Sequence, residues 1–327
     1  MPPQETPYNN ETPQEVISGL SRLAGPATLL LLAIAAFVFV YAYMGSVTET
    51  PSAETASAAI ATDAFAGVSI EAKSAVVVDL RSGRTLYEFN PDSQLPLASL
   101  TKVALILAVR EVLPPESVIT IPYDTAPRGA AMRLARGEKW KLGDVINFTL
   151  VASSNEGANI LAQLADGSIR ERYPQAPEGA AVLWRMNDLA QSLHLVHTYY
   201  LNVNGLDVST TQSGAYGSAR DVAELFAYAA STSPGSFTGT TRDGLLLTDE
   251  DGNTTSAFNT NEALGDIPGL IMGKTGYTDL AGGNLGIVFD VGLARPVVAV
   301  VLGSSHKGRF TDMKQLLNAA RAAITQE

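Results

Sequence analysis

Three short patterns in this chain carry side chains able to do chemistry together. Ser99-Leu100-Thr101-Lys102 sets a hydroxyl and an amine three residues apart. On a helix they would share one face. Ser153-Ser154-Asn155 adds a second hydroxyl and an amide, and Lys274-Thr275-Gly276 adds a second amine. A serine hydroxyl is a poor nucleophile until a base takes its proton. Only three histidines exist, His194, His197 and His306, with neither a G-x-S-x-G elbow nor an H-E-x-x-H pattern. They read as ordinary structural residues, which leaves lysine as the candidate base. A lysine acts as a base only when neutral, so burial and a second cation must lower its pKa. The apolar run PLASLTKVALILAV around Lys102 offers the burial, and Lys274 the charge. Each residue also has a plain reading: Ser99 as a cap, Lys102 as a snorkelling surface lysine, Ser153 and Asn155 as a helix start, Lys274 as a solvated strand residue. The ordered occurrence of all three patterns favours the catalytic reading.

Those residues need a scaffold, and 327 residues at 46% hydrophobic content suffice for one large domain or two modest ones. The formal charge of −11 speaks against a nucleic-acid partner. With no cysteine, disulfides, a thiolate zinc site and a cysteine nucleophile are excluded. No phosphate-binding loop or dinucleotide fingerprint is present, and no cofactor or metal is expected.

Residues 1–25 are polar and proline-bearing and read as a flexible tail. Residues 26–45, PATLLLLAIAAFVFVYAYMG, hold no charge and are long enough to span a bilayer as a helix. Arg22 before the span, with no further basic residue until Lys73, favours an inside N-terminus. A cleaved signal peptide, with Ala56-Ser57-Ala58 as the site, is the rival reading. Residues 46–72, rich in Ala, Thr and Ser, read as a linker, and residues 73–327 as the globular domain. The expected localisation is therefore the cell membrane, single-pass, with the domain on the outer side.

Within the domain, 74–80 and 85–89 pattern as a hairpin and 270–276, 283–291 and 296–304 as three further strands. Helices are expected around Ser99, over 143–164 with an interruption at 153–155, over 177–195, over 218–230 with Ser218 as N-cap, and over 310–324. Two strands, a helical block, three strands and a helix predict an α+β fold: an antiparallel sheet built from both chain ends, flanked by helices, with a helical subdomain.

S-x-x-K, S-x-N and K-T-G in this order resemble the signature of penicillin-binding proteins and class A β-lactamases. YEFNPDSQLPLASLTK, VASSNEGANILAQ, NGLD (204–207) with SARD (218–221), and KTGYTDLAGGNL are similar to the D-alanyl-D-alanine carboxypeptidase family of penicillin-binding serine peptidases. The resemblance covers roughly 74–305 and implies a β-lactamase/transpeptidase-like fold. It implies Ser99 as nucleophile, Lys102 as base, and Ser153, between the lysines, as proton donor to the leaving amine. Asn155 would hold the substrate amide, and Lys274 and Thr275 its terminal carboxylate. Gly276 would let the substrate lie along the strand edge, and the backbone N–H groups of Ser99 and Tyr277 would form the oxyanion hole. Implied partners are peptidoglycan stem peptides, β-lactams as covalent inhibitors, and the membrane through the N-terminal helix. NGLD is expected as a supporting turn, and Ser218 and Asp221 as helix-start residues. No glutamate lies between Glu178 and Glu224 to activate a deacylating water, which argues against class A β-lactamase action. The implied activity is removal of a terminal D-alanine. Alternatives are D,D-endopeptidase action on cross-linked peptides, a non-hydrolytic penicillin-recognising sensor or scaffold, and an esterase or amidase on a related fold.

Overall fold

A computed structural model describes residues 63–122, 134–292 and 294–326. The expected tail, membrane span and most of the linker lie outside the described residues. Among the described residues no helix is long and apolar enough to cross a membrane.

The chain opens with the hairpin β1 (Ser74–Asp79) and β2 (Arg84–Phe89), then β3 (Leu95–Pro96), a 3-10 turn Ala98–Thr101 and helix α1 (Lys102–Val112). A ribbon of β4 (Val118–Thr120) and β5 (Lys139–Lys141) precedes α2 (Leu142–Val151), α3 (Asn155–Arg172) and α4 (Ala181–Ser192). Two short strands, β6 (Tyr199–Tyr200) and β7 (Ala215–Gly217), lead to α5 (Ala219–Thr232). The hairpin β8 (Gly244–Thr248) and β9 (Thr254–Phe258) comes before β10 (Leu270–Thr278), β11 (Gly282–Asp290), β12 (Pro296–Ser304) and the final helix α6 (Gly308–Thr325).

The main sheet is antiparallel in the order β10-β11-β12-β1-β2, so its first and last strands in chain order meet where β12 pairs with β1. Both faces are covered, which is why PVVAVVLGS reads as one apolar run without alternation. Val298, Val300 and Leu302 join the front core with α5. Val297, Ala299 and Val301 join the rear core with Phe310, Met313 and Leu317 of α6. Each such buried valine or leucine is worth about 1.5–3 kcal/mol, so β12 anchors both layers. In front, α1, α3 and α4 pack on one another as the helical region. Residues 63–72 of the expected linker pack into the rear core: Ala72 is buried, and Phe65 stacks on Tyr87 with ring centroids 5.2 Å apart.

Candidate active site

Ser99 and Lys102 do not share one regular helix. Ser99 sits in the 3-10 turn, and Lys102 is the first residue of α1. Ala98 takes a left-handed φ of 47°, a conformation that costs an alanine roughly 1–2 kcal/mol. The surroundings hold it there. The Leu97 N–H donates to the Ala215 carbonyl at 3.0 Å, the Thr101 hydroxyl to the Ala98 carbonyl at 2.7 Å, and the Asn284 amide to the Pro96 carbonyl at 2.9 Å. Gly205 of the NGLD turn, with φ of 82°, lies directly behind: a Cβ on it would stand 1.9 Å from the Ala98 carbonyl oxygen. The expected supporting turn is thus a buttress of the Ser99 turn.

Lys102 is completely buried. Its Nζ lies 2.8 Å from Ser99 Oγ, 2.8 Å from Asn155 Oδ1 and 2.8 Å from the Asn204 carbonyl. The two carbonyl oxygens can only accept. A neutral amine has two hydrogens for them and one lone pair left for the Ser99 hydroxyl proton. Burial, and then the charge of Lys274, push the Lys102 pKa well below its usual value. The arrangement therefore sets the Ser99 hydroxyl within hydrogen-bond reach of an amine whose charged form is disfavoured.

The break between α2 and α3 places the second pair. Ser154 caps α3, its Oγ accepting from the Gly157 N–H at 3.0 Å. Ser153, left-handed with φ of 54°, is thereby freed from capping and turned into the site. Its Oγ accepts from Lys274 Nζ at 2.8 Å. The expectation that Ser153 links the two lysines is seen on one side only, the Lys274 side. Lys274 is buried on β10, also donates to the Thr275 carbonyl at 2.9 Å, and has its pKa lowered to about 7 by burial and by Arg309.

β10 is an edge strand whose outer side meets the Ser99 turn. Gly276 is needed for that approach: a Cβ there would stand 2.8 Å from the Leu97 carbonyl oxygen and 3.3 Å from the Ser99 nitrogen. Room for the nucleophile turn thus adds to the expected role of Gly276 in seating a substrate strand. The next residue, Tyr277, is half exposed. The hydroxyls of Thr275 and Thr260 lie 2.6 Å apart. Asp207 of NGLD accepts from the Thr278 hydroxyl at 2.9 Å, tying the turn to the end of β10. Ser218 caps α5 by accepting from the Asp221 N–H at 3.1 Å, as expected. His306 packs edge-on against Tyr277, with centroids 4.8 Å apart, so it stands at the rim of the site. Among the described residues, every candidate residue lies in this one region.

Sequence reasoning missed Arg309, Thr260 and the Asn204 carbonyl. Arg309 is buried in the first turn of α6, donates to the Gly276 carbonyl at 2.7 Å, and leaves its Nε buried without a hydrogen-bond partner. A cation in the first turn of a helix opposes the helix dipole, and that local misfit was the available signal. Thr260 and the Asn204 carbonyl left none, since a hydroxyl after a strand and a backbone oxygen in a turn are ordinary.

The sheet, the helical region and the paired serines and lysines at the β10 edge define a penicillin-binding-protein architecture. The chain belongs to the D-alanyl-D-alanine carboxypeptidase family, whose model matches residues 55–306. It is 30% identical to the D-alanyl-D-alanine carboxypeptidase DacF of Bacillus subtilis over 76% of this chain and 62% of that protein. It is 26% identical to the D-alanyl-D-alanine endopeptidase of Escherichia coli, covering 85% of this chain and 86% of that protein. Penicillin-binding protein D2 of Listeria monocytogenes, solved in a cefotaxime-bound form, superposes with a TM-score of 0.64 at 26% identity, covering 77% of this chain and 98% of that one. The chain spans about three fifths of the length of the carboxypeptidase relatives DacF of B. subtilis and DacA of E. coli.

Proposed function

We propose that this chain is a serine D,D-carboxypeptidase that removes the terminal D-alanine from peptidoglycan stem peptides through an acyl-enzyme. The observation that carries the reading is the buried Lys102 amine, held by two pure acceptors with its remaining valence on Ser99. Ser99 Oγ attacks the penultimate D-alanine carbonyl as its proton passes to Lys102. The oxyanion is received by the Ser99 and Tyr277 N–H groups. The C–N bond breaks as the departing amine takes a proton from Ser153, which Lys274 replaces. Transfer from the Lys102 ammonium to the Lys274 amine restores Lys102 as the neutral base and Lys274 as the ammonium. Water, deprotonated by Lys102, then attacks the acyl carbonyl, and Lys102 returns the proton to Ser99.

Asn155 holds the substrate amide and Thr275 the terminal carboxylate. Lys274, enclosed and with its pKa lowered to about 7, is supplemented as the carboxylate's cation by Arg309, whose own pKa burial lowers from its ordinary very high value. Penicillins, which carry both the reactive carbonyl and the carboxylate, acylate Ser99. The uncharged run at 26–45 anchors the protein in the cell membrane, with the domain on the outer side. Endopeptidase action on cross-linked peptides is the second reading, favoured by the match along 86% of the E. coli endopeptidase.

Fluorescent-penicillin labelling of wild type and Ser99→Ala, followed by D-alanine release from a pentapeptide and cleavage of a cross-linked dimer, tests both. A band lost in the variant and D-alanine released by wild type are expected. Labelling that survives Ser99→Ala would sink the assignment. Dimer cleavage exceeding D-alanine release would favour the second reading.

A further inference from the structure

Thr275 is the residue assigned to the substrate's terminal carboxylate, and its hydroxyl does not stand alone. It lies 2.6 Å from the hydroxyl of Thr260, and either oxygen can be the donor. Among the described residues neither hydroxyl has another protein partner. Thr275 is buried, which leaves little room for water to replace that partner.

The backbone fixes where the Thr260 hydroxyl sits. The Thr260 N–H donates at 3.2 Å to the carbonyl of Val151, the last residue of α2 and two positions before Ser153. Asn259, just ahead of it, donates its amide to the Thr240 and Arg242 carbonyls at 2.9 and 2.8 Å, and accepts from the Asn261 N–H at 2.9 Å. The Thr240 hydroxyl in turn accepts from the Gly273 N–H of β10 at 3.1 Å. The segment after β9 is thus pinned to α2 on one side and, through Thr240, to β10 on the other.

Two hydroxyls in contact share one hydrogen and leave the other free. When Thr275 donates to Thr260, it meets the site with a lone pair, which repels a carboxylate. When Thr260 donates to Thr275, the Thr275 hydrogen is released for the ligand. A carboxylate can only accept, so it selects the second state. A hydroxyl that accepts while it donates is also the more polarised donor, and its bond to an ionised acceptor is of the stronger kind.

We infer that Thr260 is a positioning residue that sets the direction of the Thr275 hydroxyl and so biases the site toward ligands ending in a free carboxylate. The inference rests on the D,D-peptidase reading, in which Thr275 holds that carboxylate. It adds a residue outside the three motifs as the one that turns Thr275 into a donor. A Thr260 that merely ties its segment to β10 would serve charged and uncharged ligands alike, and the test turns on that difference.

Thr260→Val keeps the branched shape and removes the hydroxyl, whereas Thr260→Ser keeps the hydroxyl. Wild type and both variants are compared in D-alanine release from a pentapeptide. They are also compared in acylation by benzylpenicillin and by its methyl ester, which lacks the ionised carboxylate. In Thr260→Val the pentapeptide KM should rise about three- to tenfold, the effect of one hydrogen bond, with kcat changed less. The ratio of acylation rates, acid over ester, should fall by the same factor. Thr260→Ser should restore both. The ratio is internal to each protein, so a smaller folded fraction cancels from it. An unchanged ratio in Thr260→Val, or a serine variant as poor as the valine one, would overturn the inference. Wild type that releases no D-alanine would sink the D,D-peptidase reading instead. The acid-to-ester ratio, which needs only acylation, then decides the role of Thr260 by itself. Wild type acylated by neither penicillin would take the inference down together with that reading.

Discussion

Two serine–lysine pairs share the same 2.8 Å separation and arise in opposite ways. Ser99 and Lys102 are three residues apart, whereas Ser153 and Lys274 are separated by 121 positions and meet only when β10 is laid beside the α2–α3 break. The surroundings differ as well. Lys102 is enclosed by two carbonyl acceptors and the Ser99 hydroxyl, and its pKa is driven down first by burial and then by Lys274. Lys274 has two acceptors and a guanidinium neighbour, and comes to rest at about 7. One pair disfavours the charged form of its amine. The other keeps an amine able to hold or release a proton near neutral pH. On the proposed mechanism the comparison separates a base from a proton reservoir, although the residue types are the same.

Substituting each lysine puts that division under the most strain. Lys102→Met should slow acylation of Ser99 by penicillin by about 10³-fold, within the span general-base removal produces. Lys274→Met should cost less, about 10–100-fold, because Ser99 keeps its base. Stopped-flow labelling measures both, and equal losses would erase the distinction between the pairs. The same Lys274→Met protein carries a second readout. Removing a positive neighbour raises the Lys102 pKa, so the acid limb of the acylation profile should move to higher pH. An unmoved limb would mean that the lysines do not sense each other.

Arg309→Gln sharpens the contrast at a smaller scale. Arg309 lowers the Lys274 pKa, so its loss should carry that pKa above about 7. Wherever a protonated Lys274 is required, the alkaline limb should move up by the same amount. KM for peptides ending in a free carboxylate should rise more than kcat falls. A limb that stays in place would remove Arg309 from the site's electrostatics.

The smallest effect is on stability. Folded Lys274 loses its proton near pH 7, while an unfolded lysine keeps it to 10.5. Between those values the unfolded chain binds more protons, so folding stability rises with pH. This contribution is complete above 10.5 and is lost as pH falls through about 7. Urea midpoints at mildly alkaline pH should exceed those at neutral pH by more in wild type than in Lys274→Met. Identical differences would show that Lys274 is not titrating as a buried amine.

Legibility in the sequence followed the range of the interaction. The long strands near the C-terminus, the β1–β2 hairpin, the Ser218 cap and the break at 153–155 were all readable, because each rests on side chains within a few positions of one another. The short strands β3, β6 and β7 were not. Two or three residues leave no periodicity, and Leu95–Pro96 is a strand only because Gly217 and Tyr216 lie beside it. The 3-10 geometry at Ser99 was hidden for a related reason. Ala98 adopts a left-handed φ only because Ala215, Gly205 and Asn284 close around it.

The identity and order of the reactive groups, and the i, i+3 reach of Lys102 to Ser99, were settled along the chain, since helical rise and rotation over three residues allow little else. The pairing of Ser153 with Lys274, the intrusion of Arg309 behind β10, and the neutrality of Lys102 belong to the folded molecule. A lysine is a base only where water is excluded and another cation is near; the apolar run around Lys102 points to the first, and no local stretch of sequence carries the second. Packing the sheet edge against the helical region supplies both at once.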